Sequence, residues 1–160
     1  DYTIPEGGSQ PAKYAVEVIV ESCTSIGKVF GGGNEAQVIG DAHVEINMFR
    51  GRTDDTPIDE FRDLGRIGQV FGGGNYAKLI GNTTVDIGTD PESKDPITED
   101  VIAGQEKGVK IESGTYIHPT ENTTESISAG VYGGGNAADV EGDATLNIGT
   151  EKQSLGIKIY

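Results

Sequence analysis

The sequence predicts an all-β chain: a parallel, right-handed β-helix or solenoid of about three coils, with loop insertions and one short helix. Three observations predict it. The hexapeptide "VFGGGN" at 29–34 returns at 70–75, and as "VYGGGN" at 131–136. Each copy leads, at a fixed distance, into a Gly-Asp or Gly-Asn turn and a short alternating apolar stretch. The junctions between copies vary in length while the copies do not, as in stacked repeats that extrude loops at one corner.

In chain order, residues 1–13 read as an N-terminal linker and 14–160 as a single β-solenoid domain. "AVEVIVES" opens that domain with a β-rich apolar run. Three blocks then align without gaps: "IGKVFGGGNEAQVIGDAHVEINM" (26–48), "IGQVFGGGNYAKLIGNTTVDIGT" (67–89) and "SAGVYGGGNAADVEGDATLNIGT" (128–150). Alternation in "HVEIN", "TVDIG" and "TLNIG" marks a strand with one buried face. "AQVIG" and "AKLIG" are too short for a helix and are bounded by turn residues. Each block is therefore two or three very short strands separated by turns.

The glycine triplet needs its own explanation, because glycine loses more backbone freedom on folding than any other residue. At a repeated corner it lets backbone approach backbone where a Cβ would clash. Asn tolerates left-handed φ, and its amide both donates and accepts. Asn34, Asn75 and Asn136 are thus expected as a ladder. Phe30, Phe71 and Tyr132 are expected as an aromatic column beside it. A phosphate cradle is the weaker account: "GGGN" lacks the Lys-Ser/Thr of a P-loop, and no helix follows it.

The insertions differ. In 49–66, "TPIDEFRDLG" carries a cap at Thr56, Pro57 at the first helical position and Gly65 as a stop. Ile58, Phe61 and Leu64 share one face, which predicts a short helix lying on the body. In 90–127, "GVKIESGTYI" (108–117) predicts a further strand, and the acidic remainder is expected to be exposed and mobile.

Composition narrows the function classes. Acidic residues number 26 against 12 basic ones, a net charge of −14. That field disfavours nucleic acid and anionic membrane surfaces as partners, and no run is apolar enough for a membrane span. Cys23 is the single cysteine, so no internal disulfide forms; beside "AVEVIV" it reads as a small apolar residue. The start "DYTIPEGGSQPAK" suggests a mature or trimmed piece of a longer protein.

Candidate site residues are few. Asp41, Asn82 and Asp143 follow the turn glycines and are weak Ca²⁺ candidates, although the spacing differs from that of calcium-binding nonapeptide rolls. As residues for ordinary turns they need no metal. Tyr76 and Tyr116 read as exposed, possible ligand-facing aromatics. Glu45 and Asp86 take equivalent outward strand positions, and read as acids on a solvated face rather than as a catalytic pair. No nucleophile, cofactor motif or catalytic constellation is specified.

The pattern "VFGGGN-x-A-x-V-x-G-D/N-x-x-V-x-I" resembles the Gly-Gly-Gly-Asn repeat arrays of large surface proteins in gut Bacteroidetes, over about 69 of the 160 residues. The resemblance implies a parallel β-helix in a non-catalytic, adhesin-like bacterial protein, extracellular or on the cell surface. Its partners would be a host protein or glycan, and additional repeats of the same chain. Two alternatives remain open: a carbohydrate-active enzyme on a β-helix, and a threefold-repeat carbohydrate-binding lectin. Unequal block spacing disfavours the closed barrel of the latter.

Overall fold

The computed structural model describes residues 13–47, 64–88, 110–118, 120–149 and 158–159, and every regular element among them is a β-strand. After β1 (Val16–Val20), block one gives β2 (Cys23–Phe30), β3 (Val38–Ile39) and β4 (Ala42–Ile46). Block two gives β5 (Leu64–Phe71), β6 (Leu79–Ile80) and β7 (Thr83–Ile87). Next come β8 (Lys110–Ile111), β9 (Gly114–His118) and β10 (Thr123–Ile127). Block three gives β11 (Gly130–Tyr132), β12 (Val140–Glu141) and β13 (Ala144–Ile148), and β14 (Lys158–Ile159) follows.

Each strand of a block pairs with its counterpart in the next block, in parallel. One sheet runs β1-β4-β7-β13 and another β12-β6-β3; in a third, β5 pairs β2 on one edge and both β8 and β11 on the other. The registers match like with like: Val29 with Val70 and Val131, Val44 with Val85 and Leu146, Ile46 with Ile87 and Ile148. Alternation sends Val44, Ile46, Val85 and Ile87 inward. They meet Val29, Ile67, Val70 and Ile111 in one buried cluster between the first and third sheets. Val18, Val20, Cys23 and Ile26 pack against its margin. Parallel pairing across long connections requires a chain that returns to the same place, and the repeat supplies it.

Block three departs from the others inside its first strand. Where β2 and β5 each run unbroken for eight residues, the third row is split. Lys110 and Ile111 pair with Arg66 and Ile67, and pairing resumes only at Gly130 opposite Gln69. Between them the chain leaves the sheet as an antiparallel hairpin of β9 and β10, with His118 opposite Thr123. The Ser113 hydroxyl accepts a bond from the Ala129 amide at 2.8 Å, across the neck of this excursion. Thus Ile111, rather than Ser128, continues the column begun by Ile26 and Ile67.

Three expectations change. The single strand over 108–117 is two strands, broken at Glu112-Ser113, with its second half committed to the hairpin. Residues 123–127 of the acidic insertion form a strand, because β9 offers them an edge to pair with. Leu64 and Gly65, placed in the expected helix, lie in β5 opposite β2, where Cys23 pairs with Leu64. The rest of that helix, 56–63, lies outside the described residues, as do 90–109 and the linker 1–12.

Candidate functional site

The repeated corner brings the expected residues together in sequence order. Asn75 Nδ2 donates to Asn34 Oδ1 at 2.8 Å, and Asn136 Nδ2 to Asn75 Oδ1 at 2.9 Å. Beside them the ring of Phe71 lies between those of Phe30 and Tyr132, at centroid distances of 5.0 and 4.8 Å and nearly parallel. Left-handed φ has no part in the asparagine column: among described non-glycine residues only Asn122 has a positive φ. The ladder amide explains the choice of Asn by itself. Positive φ falls instead on the turn glycines Gly40, Gly81 and Gly142.

The residues after those glycines form a second ladder. Asp41 Oδ1 accepts the Asn82 amide at 2.8 Å, and Asn82 Oδ1 accepts the Asp143 amide at 2.9 Å. The side chains of Asp41 and Asn82 therefore each cap a backbone amide of the next block, which is why Asn serves in the middle as well as Asp. Among the described residues no group of three His, Cys, Asp or Glu side chains is placed to hold a metal ion.

Glu45 and Asp86 are not on a solvated face; each is 2% exposed. They belong to a polar row on the outer side of the β1-β4-β7-β13 sheet. His43 Nε2 meets Asp86 Oδ2 at 2.8 Å, Asn147 Nδ2 donates to Asp86 Oδ1 at 2.7 Å, and Asn47 Nδ2 donates to Glu45 Oε1 at 3.2 Å. His43 Nδ1 faces Glu17 Oε1 at 3.3 Å, and the Tyr14 ring stacks on the imidazole. A carboxylate only accepts, so the shorter contact calls for a proton on Nε2. A row this deep and this well bonded holds strands together. It does not present an acid pair to a substrate.

The accessible feature is a half-open groove of about 700 Å³ between the hairpin and the first two blocks. The hairpin packs closely because Gly27 and Gly68 lie under it: a Cβ on Gly68 would stand 2.8 Å from Ile127 Cγ2 and 3.1 Å from Tyr116 Cε2. Lys28 bridges to Glu125 of the hairpin at 2.5 Å. Tyr76 and Ile117, 67% and 69% exposed, both line the groove, with Phe30 and Asn75 beside them.

Tyr116 lines the same groove but is buried, not exposed. It anchors the hairpin: its hydroxyl donates to the Glu112 carbonyl at 2.5 Å, and Arg66 lies over its ring at 4.7 Å while donating to the Thr115 carbonyl at 2.7 Å. Burial pushes the Tyr116 phenol above its ordinary 10.0, against the opposing pull of Arg66. A raised folded-state value means stability that is complete below pH 10 and lost as pH climbs through that value. The expected result is an alkaline tyrosinate titration with one delayed component. Tyr116→Phe removes that component, and a wild-type titration without it would contradict the anchor.

Comparison with known proteins finds no matching family model, no matching curated protein and no matching solved structure. Among the described residues no helix is long and apolar enough to cross a membrane. Two features escaped the sequence reading. The polar row was hidden because period-two alternation marks one face as apolar without showing what covers the other. The hairpin left a trace: Ser128 stands where the other blocks have Ile, while "VKI" lies upstream.

Proposed function

We propose that the chain is a non-catalytic structural and adhesive segment of a secreted or cell-surface bacterial protein. It is a parallel β-solenoid that holds out a groove for a carbohydrate. The observation that carries this reading is the hairpin inserted within a strand without loss of register on either side. A scaffold whose rows stay aligned around an insertion is suited to display. Tyr76 and Ile117 offer apolar surface for the C–H face of a sugar ring, and Asn75, Lys28 and Glu125 offer donors and acceptors for its hydroxyls. The surface location rests on the resemblance of the blocks to adhesin-like repeat arrays. The enzyme alternative loses its acid pair to the buried row.

Residues 112–128 are separable in this reading. One residue is needed between Ile111 and Gly130 to face Gly68, and Ala129 supplies it. Deleting 112–128 therefore joins Lys110, Ile111 and Ala129–Tyr132 into one strand facing Arg66–Phe71. The deletion variant is expected to keep a cooperative melt and a β-type circular dichroism spectrum. On a glycan array, the deletion and Tyr76→Ala are both expected to abolish the binding shown by the parent chain. An unfolded deletion variant, or glycan binding indifferent to both changes, would overturn the proposal.

A further inference from the structure

We infer that the open end of block three is the template for a fourth coil of the same Gly-Gly-Gly-Asn type, entered through Lys158–Ile159. The inference rests on the solenoid reading above. Its first support is burial. Val44, Ile46, Val85 and Ile87 are fully buried, whereas their block-three counterparts Leu146 and Ile148 are 39% and 46% exposed. Tyr132 ends the aromatic column equally bare. Apolar side chains aligned with a finished core are left facing water, along a sheet edge that none of the described strands covers.

The second support is polarity. Blocks one and two donate the same amides to the block that follows each of them. Gly31 and Gly72 donate to the carbonyls of Phe71 and Tyr132, Gly40 and Gly81 to those of Ile80 and Glu141, Ala42 and Thr83 to those of Asn82 and Asp143. Their block-three counterparts are Gly133, Gly142 and Ala144, whose amides face the open end. Asn136 has used its Nδ2 on Asn75, so its Oδ1 is the next acceptor in the ladder. A coil carrying the same corner meets all of these in register.

The third support is β14. Lys158 pairs with Lys110 and Ile159 with Ile111, so Ile159 extends the column Ile26, Ile67, Ile111 by one place. The first two residues of a fourth row are already seated. An identical end from a second copy fits less well. Asp139, Glu141 and Asp143 crowd this end, and two such ends would oppose like charges. Block two answers the same acids with Lys78, which pairs with Glu141.

The test appends a copy of residues 68–89 directly after Ile159, so that Ile159 takes the place of Ile67. Amide exchange is followed by NMR in the natural and extended chains. The amides of Gly133, Gly142 and Ala144 are expected to slow by roughly 100-fold or more in the extended chain, as interior bonds do. Ile148→Asp is expected to leave the melting temperature of the natural chain nearly unchanged and to lower that of the extended chain by about 5 °C. Unchanged exchange at those amides would overturn the inference. So would a natural chain that sediments as a dimer with Ala144 already protected, since a second copy would then hold the surface. Free exchange at Ala42 and Thr83 as well would place the failure in the solenoid reading itself.

Discussion

Replacing Asp86 with alanine will destabilise the fold by about 3 kcal/mol, read as a fall in the urea midpoint with an unchanged slope. The carboxylate accepts from His43 on one oxygen and from Asn147 on the other. Removing it leaves the buried His43 N–H without its partner while the exposed Asn147 amide turns to water, and an unmet buried group costs its desolvation in full. Marginal domains hold about 5–15 kcal/mol in total, so one side chain here carries a sizeable share. Asp86→Asn separates charge from shape. Its amide still accepts from Asn147, but it offers His43 an N–H where the carboxylate offered an oxygen. A loss close to that of alanine means that His43 keeps its proton on Nε2 in the variant; a near-neutral result means that the imidazole accepts the new N–H by moving its proton to Nδ1, where Glu17 receives it. An Asp86→Ala variant as stable as the parent would show that the row contributes nothing.

Gly72→Ala is expected to be as damaging, by about 3 kcal/mol, through overpacking. A Cβ at Gly72 would fall on the carbonyl oxygen of Gly133, with Thr83 Cβ and Val85 Cγ2 each 3.0 Å away. That carbonyl belongs to the backbone of the next block and cannot rotate aside, and the Gly72 amide is itself bonded to Tyr132 at 2.9 Å. The contrasting substitution is Gly134→Ala in the same triplet motif, where a Cβ meets nothing within 4 Å. Thermal melts are expected to drop sharply for the first and hardly at all for the second. Equal behaviour would mean that the triplet is glycine for some reason other than contact between blocks.

Much of the fold was legible because the repeat states it three times. Strand identity, the order of blocks and the asparagine and aromatic columns follow from one alignment, since stacked copies place equivalent residues side by side. Sequence reasoning failed where the copies cease to be equivalent. Gly65 looked like a helix stop because Thr56, Pro57 and Leu64 supplied the rest of a helix pattern, yet its partner strand β2 claimed it. Tyr116 looked like a surface tyrosine because nothing in "SGTYIH" announces the glycine floor it lies on. His43 and Asp86 stand 43 positions apart, and only the register of β4 against β7 makes them neighbours.

The block-to-block direction of the hydrogen bonds has a mechanical consequence. In the β1-β4-β7-β13 sheet the first and last strands lie at opposite edges, so tension applied between β1 and β13 pulls the rows away from each other across their bonds instead of sliding them along one another. Bonds loaded in that way break singly, at low force. The 41 residues from the first corner to the second release roughly 140 Å, and the 61 from the second to the third roughly 210 Å. A stack of this kind yields in steps under tension, lengthening row by row.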